Sequence, residues 1–329
     1  MGGLSTIGSE VYHGNFCFSV MPLFQRTDLL MGNRFDLGVV AENAAEAKEG
    51  LVEAVLEIKR IEGLLTTFNE SSQTFLINEN AGISPVEVDQ DVFDLIARAQ
   101  KISRLTQGAF DLSYGSLDKR FWNFDQQMTE LPSPEKLAES VRLIDYQAIE
   151  LDPENRTVFL RNKGMRIGFG GIGKGYAADQ AKKRLKQLGF QNGVVNASGD
   201  MSAWGMNEQG MPWKVAIVDP DNPSQTIADF DLKDAAVATS GNYEKFVWIG
   251  GKKYSHTINP RTGYPIHGIK SVSVFAPVAE LADALTTPIA VMGIEVGLDL
   301  VNQLNGVFCV IIDDANRIFQ SNNITTRIA

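Results

Sequence analysis

The stretch "GFGGIGKGYAAD", Gly168 to Asp179, carries two phosphate-binding signals at once. Gly168, Gly170 and Gly173 complete the G-x-G-x-x-G spacing of a dinucleotide fingerprint, while Gly168, Gly173 and Lys174 satisfy all but the last letter of a P-loop. That last letter is Gly175, so the hydroxyl with which a P-loop holds Mg²⁺ is missing. The dinucleotide reading fails on another count. It expects an acidic residue about 20 positions on to bind the ribose hydroxyls, and "QLGFQNGVV" at 187–195 contains none. What survives is a tight, glycine-lined entry into a helix with a lysine in its first turn. A cation there opposes the helix dipole. The placement makes sense if an anion such as phosphate meets the same helix N-terminus.

Five further stretches hold residues that could do chemistry. "LADALTTPIAVMG" puts Asp283 and Thr287 at i and i+4, which stacks both side chains on one helical face. "HTINPRTGYP" at 256–265 brings His256, one of three histidines, and Thr257 into a polar turn. "QGAFDLSYGSL" at 107–117 sets Ala109, Phe110 and Asp111 side by side, an aromatic and an acid that could meet a purine. "VNASGD" at 195–200 and "ATSGNY" at 238–243, with Ser240 and Gly241, read as small-residue turns after apolar strands, where a ligand can approach closely. Each stretch alone has an ordinary structural explanation as cap, core or turn. Their combination in one order is more specific.

The elements that must position these residues alternate between helix and strand. "AAEAKEGLVEAVLEIKRIEGLLTTF" at 44–68 spaces Leu51, Val55, Ile58 and Leu65 as one face of a helix. Residues 91–107 repeat the pattern with Phe93, Ile96, Ala99 and Ile102, closed by Gly108. Ser133 and Pro134 start a third, short helix. Two β-rich runs joined by Asp-Pro-Glu-Asn precede the glycine-rich stretch, whose helix continues as "YAADQAKKRLKQLGF". "GVVNASGD", "WKVAIVD", "DAAVATS", a hairpin "EKFVWIGGKKYSHTI" turning on Gly250-Gly251, "SVSVFAP" and "GVFCVIID" supply strands, with one helix from about Leu281 to Leu304. No linker or charge block divides the chain. This predicts one α+β unit with several antiparallel pairings.

Composition narrows the partners. The 329 residues carry 44% hydrophobic and 21% charged side chains, enough for a sizeable core. A net charge of -10 works against sequence-independent binding to nucleic acid, which requires cations to displace counterions. Cys17 and Cys309 lie far apart with no C-x-x-C spacing, and read as ordinary free thiols, not a zinc site or a disulfide framework. The sequence has no run of about 18 apolar residues. The first twenty residues lack a basic segment followed by an apolar one, which points to an intracellular protein or to one whose targeting segment has been replaced.

Taken together, "LLMGNRF", "TTFNESSQTFLIN", "GAFDLSYGSL", "FGGIGKGYAAD", "VNASGD", "ATSGNY", "HTINPRTGYP" and "ADALTT" resemble the ApbE family, the FAD:protein FMN transferases, from about residue 28 to about 312. The resemblance implies an N-terminal extension over 1–27 and a single transferase unit over 28–329, with a T-fold-like α+β architecture of antiparallel sheets flanked by helices and an FAD cleft between two halves. It implies Mg²⁺-dependent transfer of FMN from FAD to a Thr or Ser hydroxyl of an acceptor protein, usually a membrane electron-transfer subunit facing the exterior or the periplasm, with release of AMP. By the same resemblance, Asp283, Thr287 and the carbonyl of Gly171 hold the metal, with Thr286 contributing through a carbonyl or side chain; Lys174 stands beside the pyrophosphate; and Met31, Phe68, Ala109, Phe110, Asp111, Ser240, Gly241 and Thr257 line the cofactor. Asp283 or His256 supplies the base. Four positions depart from the common family pattern: Gly168 where many relatives have Asp, Asn33 in the Met-Gly-Thr motif, Phe68 in place of a Tyr, and Asn259 opening the Asp-Pro-Arg-Thr-Gly motif. Two rival readings stay open at this point: an Mg²⁺-dependent FAD pyrophosphatase, and a flavin-binding protein without chemistry.

Overall fold

A computed structural model describes residues 21–118, 121–122, 130–241, 246–249 and 252–322. The first half runs β1 (Leu23–Leu30), β2 (Asn33–Val40), α1 (Ala44–Leu65), α2 (Gln73–Glu79), β3 (Val86–Glu87), α3 (Gln90–Leu105), α4 (Pro134–Val141), β4 (Ile149–Asp152), β5 (Thr157–Leu160) and α5 (Gly173–Gln187). The second half is richer in strands: β6 (Gly193–Ala197), β7 (Asp200–Trp204), β8 (Trp213–Asp219), β9 (Asn222–Leu232), β10 (Ala236–Gly241), β11 (Phe246–Ile249), β12 (Lys252–Ser255) and β13 (Ile269–Ala276). α6 (Ala279–Met292), α7 (Ile294–Asn302), β14 (Phe308–Asp313) and β15 (Ile318–Gln320) close the chain.

Eight strands form one sheet in the order β1-β2-β6-β7-β10-β13-β14-β15, and every neighbouring pair is antiparallel. That alone removes the dinucleotide reading of the glycine-rich stretch, which belongs to parallel βαβ units. Period-two side chains then give the sheet two apolar faces. One face, with Leu37, Val39, Val272 and Val274, packs under α1, α5 and α6; the other, with Val40, Phe275, Val310 and Ile312, is covered by the β8–β9 hairpin through Ile217, Phe230 and Leu232. A third, smaller core gathers Leu117, Trp122, Leu137, Val247, Ile249 and Ile258 around α4 and the β11–β12 hairpin.

The helices form where amphipathic spacing expects them, and Leu51, Val55, Ile58 and Leu65 of α1 are all buried. Three expectations need correction. The helix predicted over 281–304 is two helices, because Gly293 at φ 85° ends α6 and starts α7. "ATSGNY" does not turn at Ser240 and Gly241, which are the last residues of β10, opposite Val272 and Ser271 of β13. The sheet begins at Leu23, so Leu23–Thr27, assigned in the sequence to an extension, are part of the fold. The two β-rich runs are β4 and β5, paired across their turn, and between Leu160 and Gly173 the chain is neither strand nor helix. β9 and α2 were not anticipated, although Ala228, Phe230 and Leu232 alternate with Asp229 and Asp231 as a half-buried strand should. The hairpin holds its predicted register, with Ile249 opposite Lys252; Gly250 and Gly251 lie outside the described residues, as does Cys17. Cys309 is a buried free thiol whose pKa burial pushes up to about 12.

Candidate active site

The site assembles at one end of the large sheet. The β1–β2 hairpin turns there on Met31 and Gly32, and Phe35 of β2 faces Ala197 of β6, so the β6–β7 turn at Ser198 and Gly199 lies at the same end. β10 pairs Val237 with Met201; continued, this register brings Ala238 level with Asp200 and carries Ser240 and Gly241 on beyond it. Ser240 and Gly241 therefore stand at the same end of the sheet, as strand residues. Met31 adopts a left-handed φ of 51°, which is strained for a side chain of its size. Two hydrogen bonds hold it: its N–H donates to Glu62 Oε1 at 2.9 Å, and Asn33 Nδ2 donates to its carbonyl at 2.8 Å. Asn33, a departure from the family pattern, thus acts on the turn itself.

Over this end comes the glycine-rich stretch. Lacking a strand partner, it is clamped by Asn78 of α2, whose Oδ1 accepts from Ile167 N–H at 2.7 Å and whose Nδ2 donates to Ile167 carbonyl at 3.0 Å. Gly168 N–H donates to Leu112 carbonyl at 3.0 Å. A β-carbon at Gly168 or Gly170 would meet open space, one at Gly171 would lie 3.7 Å from Phe110, and one at Gly173 would lie 3.6 Å from Met31 Cε. Gly175 is different. A β-carbon there would fall 2.2 Å from the carbonyl oxygen of Ala279, so only glycine lets α5 lie this close to α6.

That approach brings the charged groups together. Lys174, in the first turn of α5, pairs with Asp200, the first residue of β7, whose side chain is only 3% exposed. Asp283 of α6 is buried and accepts from Gly175 N–H at 3.1 Å. Burial and then the Asp200 carboxylate push the Asp283 pKa up to about 7, against the opposite pull of Lys174 and of the Gly175 N–H. Two carboxylates and one lysine therefore share a poorly solvated corner at a helix N-terminus. An added divalent cation would relieve the carboxylate repulsion, which is the observation that fits Mg²⁺ to this site. Thr287 stands one turn beyond Asp283 and is half-buried, while Thr286 is buried with its hydroxyl donating to Asp283 carbonyl at 2.9 Å. No three His, Cys, Asp or Glu side chains among the described residues gather as a metal cage. An ion on Asp283 would thus lean on hydroxyl, carbonyl and phosphate oxygens.

The remaining candidates lie on three separate segments, of which the one carrying Phe110 approaches Gly171. Thr257 is buried and Ile258 joins the third core, while His256 is half-buried just after β12. The loop is closed by Asn259, whose Oδ1 accepts from Arg261 N–H at 2.9 Å, a turn that Asn makes as well as Asp. Arg261 Nη2 donates to Gln107 carbonyl at 2.6 Å, tying the loop to the segment that carries Ala109 and Phe110, both buried. Asp111 has its oxygens on Ser113 N–H (2.8 Å), Ser113 Oγ (2.6 Å) and Tyr146 N–H (2.9 Å), so it braces this segment; burial raises its pKa. Phe68, after the end of α1, is 86% exposed and offers an aromatic face to solvent. Asp200, Asn78 and Glu62 were not singled out in the sequence. Asp200 had a visible signal, an acid directly after a two-residue turn in "VNASGD"; the other two act on distant backbone and had none.

Fold and site define an α+β protein whose sheet end and helix N-terminus bring a lysine together with two buried carboxylates. The chain belongs to the ApbE family, whose sequence profile matches residues 31–311. It is 30% identical to the FAD:protein FMN transferase of Haemophilus influenzae over 281 residues, 83% of this chain and 80% of that protein, and 30% identical to that of Treponema pallidum over 321 residues, 93% and 88% of the two chains. The crystal structure of the ApbE protein of Thermotoga maritima superposes with a TM-score of 0.83 at 30% identity, covering 92% of this chain and 97% of that one. The flavin transferase ApbE of Vibrio cholerae, at 24% identity and a TM-score of 0.82 over 92% and 98% of the chains, shares the fold. Among the described residues no helix is long and apolar enough to cross a membrane.

Proposed function

We propose that this protein transfers FMN from FAD to a Thr or Ser hydroxyl of an acceptor protein, with Mg²⁺, releasing AMP. The observation that carries the reading is the convergence of Lys174, Asp200 and Asp283 at the N-terminus of α5, in a chain of this family. In this reading Asp283, Thr287 and the Gly171 carbonyl hold the ion, with Thr286 fixing the helix turn between them. Bound there, Mg²⁺ supplies Lewis-acid neutralisation of pyrophosphate charge. Lys174 places a cation on the phosphoryl oxygens, and Asp200 orients that lysine. The acceptor hydroxyl attacks the FMN-side phosphorus, the P–O bond to AMP breaks, and His256 takes the hydroxyl proton while Asp283 is occupied by the ion. Met31, Phe68, Ala109, Phe110, Ser240, Gly241 and Thr257 would line the flavin and adenine, and Asp111 would keep Ala109 and Phe110 in place. The unit would span the fold from Leu23 onward, and the acceptor would be a membrane electron-transfer subunit.

Incubation of the purified protein with FAD, Mg²⁺ and an acceptor domain, followed by intact mass, tests this. The acceptor should gain one FMN, and Asp283→Ala should abolish the gain. FAD cleavage to FMN and AMP with unaltered acceptor mass would establish the pyrophosphatase instead. A yellow protein that leaves both FAD and acceptor intact would establish passive binding.

A further inference from the structure

Asp179 stands at the end of "GFGGIGKGYAAD", five residues beyond Lys174 on α5, and takes no part in the scheme above. Both of its oxygens are in use. Oδ1 accepts from Ser202 Oγ at 3.0 Å on β7, and Oδ2 accepts from the Glu280 N–H at 2.8 Å in the first turn of α6. The residue at the N-cap of α6 is Val278, whose side chain cannot accept a hydrogen bond. The cap comes instead from another helix.

The three elements joined at Asp179 are the three that deliver the charged groups of the site. α5 carries Lys174 and the Gly175 N–H; β7 carries Asp200 two residues before Ser202; α6 carries Asp283 one turn after Glu280. A half-buried carboxylate costs solvation that the Glu280 and Ala279 N–H groups, the Ser202 hydroxyl and nearby Lys182 return only in part, so burial still raises its pKa. A second hold on the same turn, the ion pair of Glu280 with Arg98 of α3 at 2.6 Å, also touches α5, with Arg98 5.6 Å over the Tyr176 ring, whereas Asp179 adds the link to β7 through Ser202. We infer that Asp179 is a positioning residue: it locks α6 against α5 and β7 so that Asp283 meets Lys174 and Asp200 at the spacing an ion requires, and so sets the protein's affinity for Mg²⁺. The identity of the ion rests on the transferase reading.

The test compares Asp179→Ala, Asp179→Asn and Ser202→Ala by Mg²⁺ titration, read first as the Mg²⁺-induced rise in thermal midpoint with FAD present, and second as the Mg²⁺ dependence of AMP release. Loss of an outer partner of a metal ligand typically weakens metal affinity about 10–100-fold. Asp179→Ala, which acts on Asp283 through the first turn of α6 and not on a ligand directly, should therefore raise the half-maximal Mg²⁺ concentration about tenfold, the low end of that range, while the KM for FAD at saturating Mg²⁺ moves less than about twofold. Asp179→Asn should restore the Mg²⁺ requirement to near wild type, because the amide oxygen can accept from Glu280 while the amide donates to Ser202 Oγ, which as a hydroxyl also accepts. A folded Asp179→Ala with a lower midpoint but an unchanged Mg²⁺ requirement would reduce Asp179 to a structural cap and overturn the inference. Should that variant fail to fold, Ser202→Ala decides: a raised requirement supports the inference and an unchanged one overturns it. A wild-type protein that responds to Mg²⁺ thermally without transferring FMN removes the transferase reading and leaves the positioning role standing; a wild type with no Mg²⁺ response removes the positioning role.

Discussion

Substituting Gly175 by alanine tests whether the α5–α6 approach builds the site. The new methyl would lie 2.2 Å from Ala279 O, 2.6 Å from its carbonyl carbon and 2.9 Å from Asp283 Cβ. The closest of these atoms is backbone, so no rotamer change relieves the clash, and reaching even 3.0 Å requires the helices to part by about 0.8 Å. Overpacking of this kind costs about 1–3 kcal/mol, here at the upper end. Alanine gains back up to about 1 kcal/mol of helix propensity. The expected net loss is about 2 kcal/mol by urea denaturation monitored by circular dichroism. Because the displacement also moves the Gly175 N–H away from Asp283, activity should fall further than stability. A misplacement near 1 Å costs up to about 100-fold in rate, and the half-maximal Mg²⁺ concentration should rise with it. A variant as stable as wild type, with an unchanged Mg²⁺ requirement, would show that the close approach is not what sets the site.

Other outcomes follow from the same geometry. Gly168→Asp meets open space and should leave stability within about 0.5 kcal/mol of wild type, while lowering the KM for FAD if the carboxylate common in relatives makes a substrate contact; steady-state kinetics check both. Asn259→Asp keeps the acceptor that Arg261 N–H uses, so thermal midpoint and kcat/KM should match wild type. In the ion-free protein the Asp283 pKa lies near 7, above its ordinary 3.8, so the folded state binds the proton more tightly than the unfolded one. Its contribution to stability is then fully present below 3.8 and is lost as pH rises to about 7. Mg²⁺ must displace that proton, so calorimetric Mg²⁺ affinity should weaken as pH falls below about 7 and level off above it, with Lys174 and Asp200 as the charged neighbours.

The helical part of the fold was readable because α1, α3 and α5 are long enough to repeat a buried face, as Leu51, Val55, Ile58 and Leu65 do. α2 has seven residues and shows no period, and a glycine broke the last predicted helix without any change in its apolar character. The chemistry-bearing residues were readable as ordered motifs, Asp283 and Lys174 among them. What the motifs could not express was the burial that gives Asp283 its raised pKa, or that Ser240 and Gly241 end a strand beside the corner where Asp200 starts one.

The order of residues along the chain sets which groups are present and which local structure each prefers: a lysine in a helix's first turn, an acid and a hydroxyl one turn apart, glycines where backbone must pass backbone. Those are properties of neighbours along the chain, set by propensity and period. It takes the folded chain to bring Gly175, Asp200 and Asp283, spread over more than a hundred residues, into one poorly solvated corner, with Asn78, Glu62 and Asp179 holding its walls. The reason is physical. Electrostatic coupling and desolvation depend on distance in space, and the antiparallel sheet order that sets those distances arises from pairing of strands remote in sequence.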